Sequence, residues 1–240
     1  MFSVCVFCAS SPKVDARYID AAHEAGIMIA EHGWRLVYGG GQNGLMGAAA
    51  DGALAAGGEV TGVIPQSLVE KEVAHAGLTT LYKTDTMHER QMKMTELSDA
   101  FVVLPGGTGT LAELFEVITW RQLGLHEKPI ILVNIDGYWD SLIAMMDHAT
   151  QEQFLYGDYR KTLRIIEDLG DLSTILKKVL TGPRLFPVKS SIPKPAASMA
   201  LRACRAAAFI VRLYCSMTFF ISATSSVSLV RLTSTWINPS

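Results

Sequence analysis

The sequence predicts an α/β fold, a Rossmann-like doubly wound parallel sheet flanked by helices on both faces. Three observations point to it. Short apolar, β-rich runs alternate with longer segments of helical period. The strand candidates are continuously apolar, Ala100-Phe-Val-Val-Leu104 most clearly, which is the pattern of parallel strands covered on both faces. Two glycine-rich turns each join a strand to a helix, as they do at the carboxyl edge where such sheets bind ligands.

In chain order, the first strand is Phe2–Phe7. Its Cys5 and Cys8 form a C-x-x-C, but residues three apart on a strand point to opposite faces, so a redox pair is not expected. The helix Asp15–His32 follows, then the strand Arg35–Tyr38, which runs into the first glycine-rich turn and the alanine-rich helix Gly44–Ala56. Strands Glu59–Ile64 and Thr79–Lys83 come next. Asp85 is placed to cap the helix Met87–Ser98, which carries His88, Glu89 and Arg90. The strand Ala100–Leu104 ends in the second glycine-rich turn and a helix over Thr110–Leu123. Strand Pro129–Asn134 and helices Tyr138–Glu152 and Asp171–Leu180 complete the set.

The charge distribution marks a boundary. The net charge of -2 gives no reason to expect nucleic acid as a partner. All 23 acidic residues lie at or before Asp171, and all 20 glycines at or before Gly182. Residues 1–182 therefore read as the globular domain. Residues 183–240 read as a different C-terminal tail, expected to be disordered or irregular. Within it, Leu213 to Val230 is uncharged and just long enough to suggest a membrane span. Its serines and threonines argue against membrane contact, and a non-native reading frame at the gene's end is the third reading. No basic stretch precedes the first apolar run, so no signal peptide is expected and the location is read as cytoplasmic.

The first turn, Tyr38-Gly-Gly-Gly-Gln-Asn-Gly-Leu-Met-Gly47, lacks the dinucleotide spacing, and no acid ends the next strand. Two readings stand for it: a tight turn with close packing, or one wall of a nucleotide pocket. The second turn, Leu104-Pro-Gly-Gly-Thr-Gly-Thr110, exposes successive backbone N–H groups at a helix start near Thr108, and the hydroxyls of Thr108 and Thr110 add donors. Together they suit a phosphate. No lysine follows the last glycine, so this is not a Walker loop. Glu113 stands three residues after Thr110, where the bland reading is a capping box and the functional one a catalytic carboxylate. Glu116 lies a turn further along the same face. Arg90 suits bidentate binding of phosphate or carboxylate, against an alternative as a surface cation paired with Glu89 or Asp85. The histidines are scattered, with no metal spacing.

These pieces, in this order, resemble the Lonely Guy family of cytokinin riboside 5'-monophosphate phosphoribohydrolases, often labelled "lysine decarboxylase". The resemblance runs from about Val4 to Leu180 and rests on Cys8-Ala-Ser-Ser11, Tyr38 to Gly47, Gly62-Val-Ile-Pro65, Met87-His-Glu-Arg90, Pro105 to Glu113, and Val117 to Gly124. The family pattern P-G-G-x-G-T-x-x-E matches completely. The pattern M-H-E-R-K departs at its last position, where Gln91 stands in place of the usual lysine.

What the resemblance implies is hydrolysis of the N-glycosidic bond of a nucleoside 5'-monophosphate, a cytokinin riboside monophosphate or AMP, to free base and ribose 5-phosphate. It implies Arg90 and Glu113 as the catalytic pair. It implies substrate contacts from Glu72, Met87, Gln91, Gly106, Gly107, Thr108, Gly109, Thr110, Glu116 and Thr119. It also implies a homodimer, with no cofactor. The chemistry suits the residues, because the bond breaks with positive charge developing on the ribose, which a carboxylate stabilises. The decarboxylase label fits poorly: pyridoxal phosphate chemistry needs a Schiff-base lysine, and none sits in the motif cluster. The alternative from another class is a non-catalytic binding or carrier protein for a nucleotide or nucleotide-like cofactor.

Overall fold

In the computed structural model, residues 1–69, 74–155 and 157–181 are described. The boundary near 182 and the tail 183–240 therefore lie outside the described residues, as does Glu72. The described strands are β1 (Ser3–Phe7), β2 (Arg35–Tyr38), β3 (Val60–Pro65), β4 (Thr80–Thr84), β5 (Ala100–Val103), β6 (Ile130–Val133) and β7 (Leu163–Ile166). The helices are α1 (Ala16–Glu31), α2 (Gly44–Ala55), α3 (Met87–Glu96), α4 (Thr108–Gln122), α5 (Asp140–Gln151) and α6 (Gly170–Thr181). Every strand pairing is parallel, in the order β4-β3-β2-β1-β5-β6-β7. The winding reverses between β1 and β5, which places the loops after those two strands side by side: Ala9 N–H donates to the Pro105 carbonyl at 3.2 Å.

The predicted doubly wound fold is the observed one. One face of the sheet is covered by α1, α2 and α6 through residues such as Ile29, Ala49 and Leu172. The other is covered by α3, α4 and α5 through Met94, Leu114 and Met146. Central strands are buried along their whole length, whereas the edge strand β4 is largely exposed. Cys5 packs on one face and Cys8 on the other, as the strand reading required. Burial is the main cause that raises both thiols above their usual range.

The structure departs from the sequence reading at one strand and at several helix ends, with α5 starting at Asp140 rather than Tyr138 and α3 ending at Glu96 rather than Ser98. Strand β7 was not anticipated; it is four residues long and interrupted by the exposed Arg164, so its apolar run is too short to announce itself. Helix α4 begins at Thr108 with Gly107 as N-cap, two residues earlier than the predicted span. Among the described residues, no helix is long and apolar enough to cross a membrane.

Helices α1 and α2 approach closely because each presents a glycine to the other's backbone. A Cβ on Gly26 meets the Ala49 carbonyl oxygen at 2.0 Å, and one on Gly52 meets that of His23 at 2.1 Å. A helix backbone cannot yield locally, so Gly26→Ala must push the helices apart. The expected cost is about 1–3 kcal/mol, read as a lower urea midpoint; an unchanged midpoint refutes the tight crossing.

Candidate active site

The site is assembled at the carboxyl edge of the sheet from α3, α4, strand β3 and the loops after β2 and β5. Helix α3 starts where Thr86 caps it, its hydroxyl accepting the Glu89 N–H at 3.1 Å, while the Glu89 carboxylate accepts the Asp85 N–H at 2.9 Å. Thr86 rather than Asp85 is thus the cap. This arrangement occupies Glu89 and leaves Arg90, one residue on, to turn inward.

Arg90 is buried and makes two anchored contacts. Its Nε donates to the Val63 carbonyl within β3, 3.1 Å away. Its Nη1 lies 3.1 Å from Oε1 of Glu113, with both side chains nearly buried at 8% and 13% exposure. Removed from bulk water, such a charge pair interacts strongly and has a fixed geometry. The reading of Arg90 as a surface cation paired with Glu89 or Asp85 is therefore excluded. So is the capping box of Thr110 with Glu113: Thr110 is the third residue of α4, and Glu113 lies in the helix's second turn, facing α3. The Glu113 charge is felt beyond the pair, since it adds to burial in raising the Cys5 and Cys8 thiols.

Gly39 is what lets Arg90 occupy its place. A Cβ there comes within 2.1 Å of Arg90 Nη2. The other glycines of that turn serve packing. Gly44, at φ +62°, lies against the Ser10 and Ser11 carbonyls, and a Cβ on Gly47 meets the Gln42 oxygen at 1.8 Å. Backbone donors of this region point inward too: Met46 N–H bonds to Ala9 and His75 N–H to Gly40. The first glycine-rich turn is thus both close packing and one wall beside Arg90.

The second turn is arranged differently. Gly106 is buried, with Thr110 folded over it: a Cβ on Gly106 meets Thr110 Oγ1 at 2.1 Å. The buried Thr110 hydroxyl is accordingly turned toward Gly106. Gly107, Thr108 and Gly109 are exposed, and a Cβ on Gly107 or Gly109 meets nothing within 4 Å. The cap residue Gly107 supplies no side chain to the helix start. The first N–H groups of a helix have no intrahelical acceptor and carry the positive end of its dipole, so this rim attracts an anion.

The remaining predicted residues fall around this centre. Gln91 is buried, its amide donating to the Glu113 carbonyl at 3.4 Å. Met87 is half exposed at the start of α3. Glu116 lies 3.8 Å from His88 Nδ1, linking α4 to α3. Thr119 is exposed, with its hydroxyl donating to the Phe115 carbonyl of its own helix. Sequence reasoning missed the specific service of Gly39, the anchoring carbonyl of Val63 and the contact of Tyr138, whose hydroxyl donates to the Gly106 carbonyl at 2.8 Å. Only Gly39 left a trace, as part of a glycine run.

Comparison with known proteins supplies the family. A family model described as "possible lysine decarboxylase" matches residues 46–176. The cytokinin riboside 5'-monophosphate phosphoribohydrolase of Rhodococcoides fascians is 45% identical over 168 residues, covering 70% of this chain and 85% of that protein. The probable enzyme of the same name, LOGL5, from Oryza sativa subsp. japonica is 43% identical over 180 residues, covering 75% and 73%. The Arabidopsis thaliana enzyme LOG1 is 45% identical over 152 residues, covering 63% and 71%. Among solved structures, the molybdenum cofactor carrier protein of Chlamydomonas reinhardtii superposes with a TM-score of 0.57 at 22% identity, over 75% of this chain and 97% of that one. At that identity the likeness is one of fold.

Gly39→Ala tests the site's construction. Its methyl group displaces the Arg90 guanidinium from Glu113, at an expected cost of about 1–3 kcal/mol in unfolding free energy. A crystal structure of the variant with the 3.1 Å contact intact refutes the dependence of Arg90 on Gly39.

Proposed function

The chain belongs to the phosphoribohydrolase family of these relatives, and from that membership we propose that it hydrolyses a nucleoside 5'-monophosphate to free base and ribose 5-phosphate. Water adds across the N-glycosidic bond: its hydroxyl goes to C1' of the ribose and its proton to the departing base. The substrate class is a cytokinin riboside monophosphate or AMP.

The observation that carries this reading is the buried Arg90–Glu113 pair beside an open helix start. Cleavage leaves positive charge on the ribose ring, and the Glu113 carboxylate is the group that stabilises it and orients the attacking water. Arg90, tied to Val63 and Glu113, holds that carboxylate in one orientation. The exposed N–H groups of Gly107, Thr108 and Gly109 take the 5'-phosphate, with Gly106 and Thr110 as the base of the cradle. Binding energy from a group that does not react thereby fixes the ribose against Glu113. Met87, Gln91, Glu116 and Thr119 complete the surroundings, and Glu72 joins them by family resemblance. Gln91 lacks the positive charge of the family's lysine, so phosphate binding leans more heavily on the α4 helix start.

Residues 1–182 are the domain assigned this chemistry. A cytoplasmic location belongs to the same reading. A homodimer is part of the same proposal, supported by the exposed apolar side chains Met92, Leu123 and Leu125 on or just after α3 and α4. Light scattering on the purified protein is expected to give twice the chain mass; a monomer at micromolar concentration overturns this part.

Turnover is tested by incubating the protein with AMP and isopentenyladenosine monophosphate and measuring released base. Glu113→Gln is expected to lower kcat at least about a hundredfold. Near-normal turnover in that variant removes Glu113 from the chemistry. Nucleotide binding without base release in the wild type indicates a binding or carrier protein instead.

A further inference from the structure

The peptide between Gly106 and Gly107 is held by a residue outside the family motifs. Tyr138 follows β6, and its hydroxyl donates to the Gly106 carbonyl at 2.8 Å. A trans peptide is planar, with its N–H opposite its C=O. Fixing the Gly106 carbonyl toward Tyr138 therefore fixes the Gly107 N–H on the opposite side. The lock matters because a glycine stands on each side of this peptide. Glycines tolerate most backbone conformations, so the two residues themselves do little to fix the orientation of this peptide.

The Tyr138 side chain is 42% exposed, and the loop that carries it is tied down. Asn134, buried at the end of β6, accepts the Trp139 N–H at 2.7 Å and donates to Asp140 and Glu167. Within the loop Asp136 adopts φ +50°, a left-handed conformation that asparagine and aspartate tolerate better than most. The Asp136 carboxylate accepts from Arg17 Nη1 on α1 at 3.0 Å. The Tyr138 ring meets Tyr18 edge-on, with centroids 5.6 Å apart, and Trp139 at 4.7 Å. The two ring contacts bear on Tyr138 directly, and the hydrogen bonds of Asn134 and Asp136 hold the loop that carries it.

We propose that Tyr138 is a positioning residue for the phosphate end of the substrate, locking the Gly106–Gly107 peptide so that the Gly107 N–H faces the anion. It acts through the loop and takes no part in bond cleavage. The inference rests on the phosphoribohydrolase reading for the identity of the ligand, but not on turnover. It predicts that Tyr138→Phe, which keeps the ring and loses the hydroxyl, weakens recognition of the phosphate alone.

The test measures ribose 5-phosphate and adenosine binding by calorimetry, and AMP hydrolysis at steady state. In Tyr138→Phe, the Kd for ribose 5-phosphate and the KM for AMP are expected to rise together about three- to tenfold, the loss of one hydrogen bond. The kcat stays within about twofold, the pattern of lost uniform binding, and adenosine affinity is unchanged. Arg17→Ala, an exposed substitution that frees Asp136, is expected to shift the same two constants in the same direction. An unchanged Kd for ribose 5-phosphate in Tyr138→Phe overturns the proposal. An equal loss of adenosine affinity also overturns it, since that marks a general loosening. A wild-type protein that binds ribose 5-phosphate but releases no base overturns the hydrolase reading and leaves the Tyr138 comparison standing.

Discussion

The ion pair between Arg90 and Glu113 is the constraint around which the carboxyl edge of the sheet is arranged. Two charges this far from water are tolerated only in fixed geometry and with further hydrogen bonds. Each neighbouring element meets one of those needs. Strand β3 offers the Val63 carbonyl to Arg90 Nε. The β2–α2 turn gives up a side chain at Gly39 so that the guanidinium fits. Helix α3 satisfies its own start with Thr86 and Glu89, so Arg90 is not drawn into capping. Helix α4 presents Glu113 from its second turn, toward α3 rather than toward its own N-terminus.

The two glycine-rich turns look alike as text and do opposite things. The turn after β2 is closed. Its glycines let backbone pack on backbone, and Met46 N–H and the Gly40 carbonyl near it are bonded within the protein. The turn after β5 is open at Gly107, Thr108 and Gly109, where no side chain caps the helix. The difference follows from the topology. The β2 turn is hemmed in by the β1 loop and by the segment after β3, whereas the β5 turn sits where the winding reverses and the sheet leaves a crevice.

The same fold serves proteins of different names, as the likeness to molybdenum cofactor carriers at 22% identity illustrates. Function is therefore argued from the site and from relatives above 40% identity, not from the sheet. Against the family pattern M-H-E-R-K, this chain carries Gln91 at the last position. Its amide is buried against the Glu113 backbone, so it adds a hydrogen bond to the α3–α4 junction in place of a cation at the rim.

The sequence by itself determined the layer order and the chemistry on offer. Short continuous apolar runs bounded by turn residues and alternating with helical segments fit strands buried on both faces, so the central strands β1, β2, β5 and β6 and the helices between them were legible, as was the glycine-rich turn from Pro105 to Thr110. The edge was less so: β7 is too short, and Arg164 interrupts it. Local pattern also carried the identities of Arg90 and Glu113, but not their relation. From spacing alone, Glu113 read better as a cap for Thr110, and Arg90 equally well as a surface cation beside Glu89 or Asp85. Only the tertiary structure chose, because both choices depend on groups distant in the chain. The Val63 carbonyl lies 27 residues from Arg90, and Tyr138 lies 32 residues from the Gly106 carbonyl it holds. A hydrogen bond to a backbone carbonyl leaves no mark on the residue that offers it, and so no sequence pattern announces it.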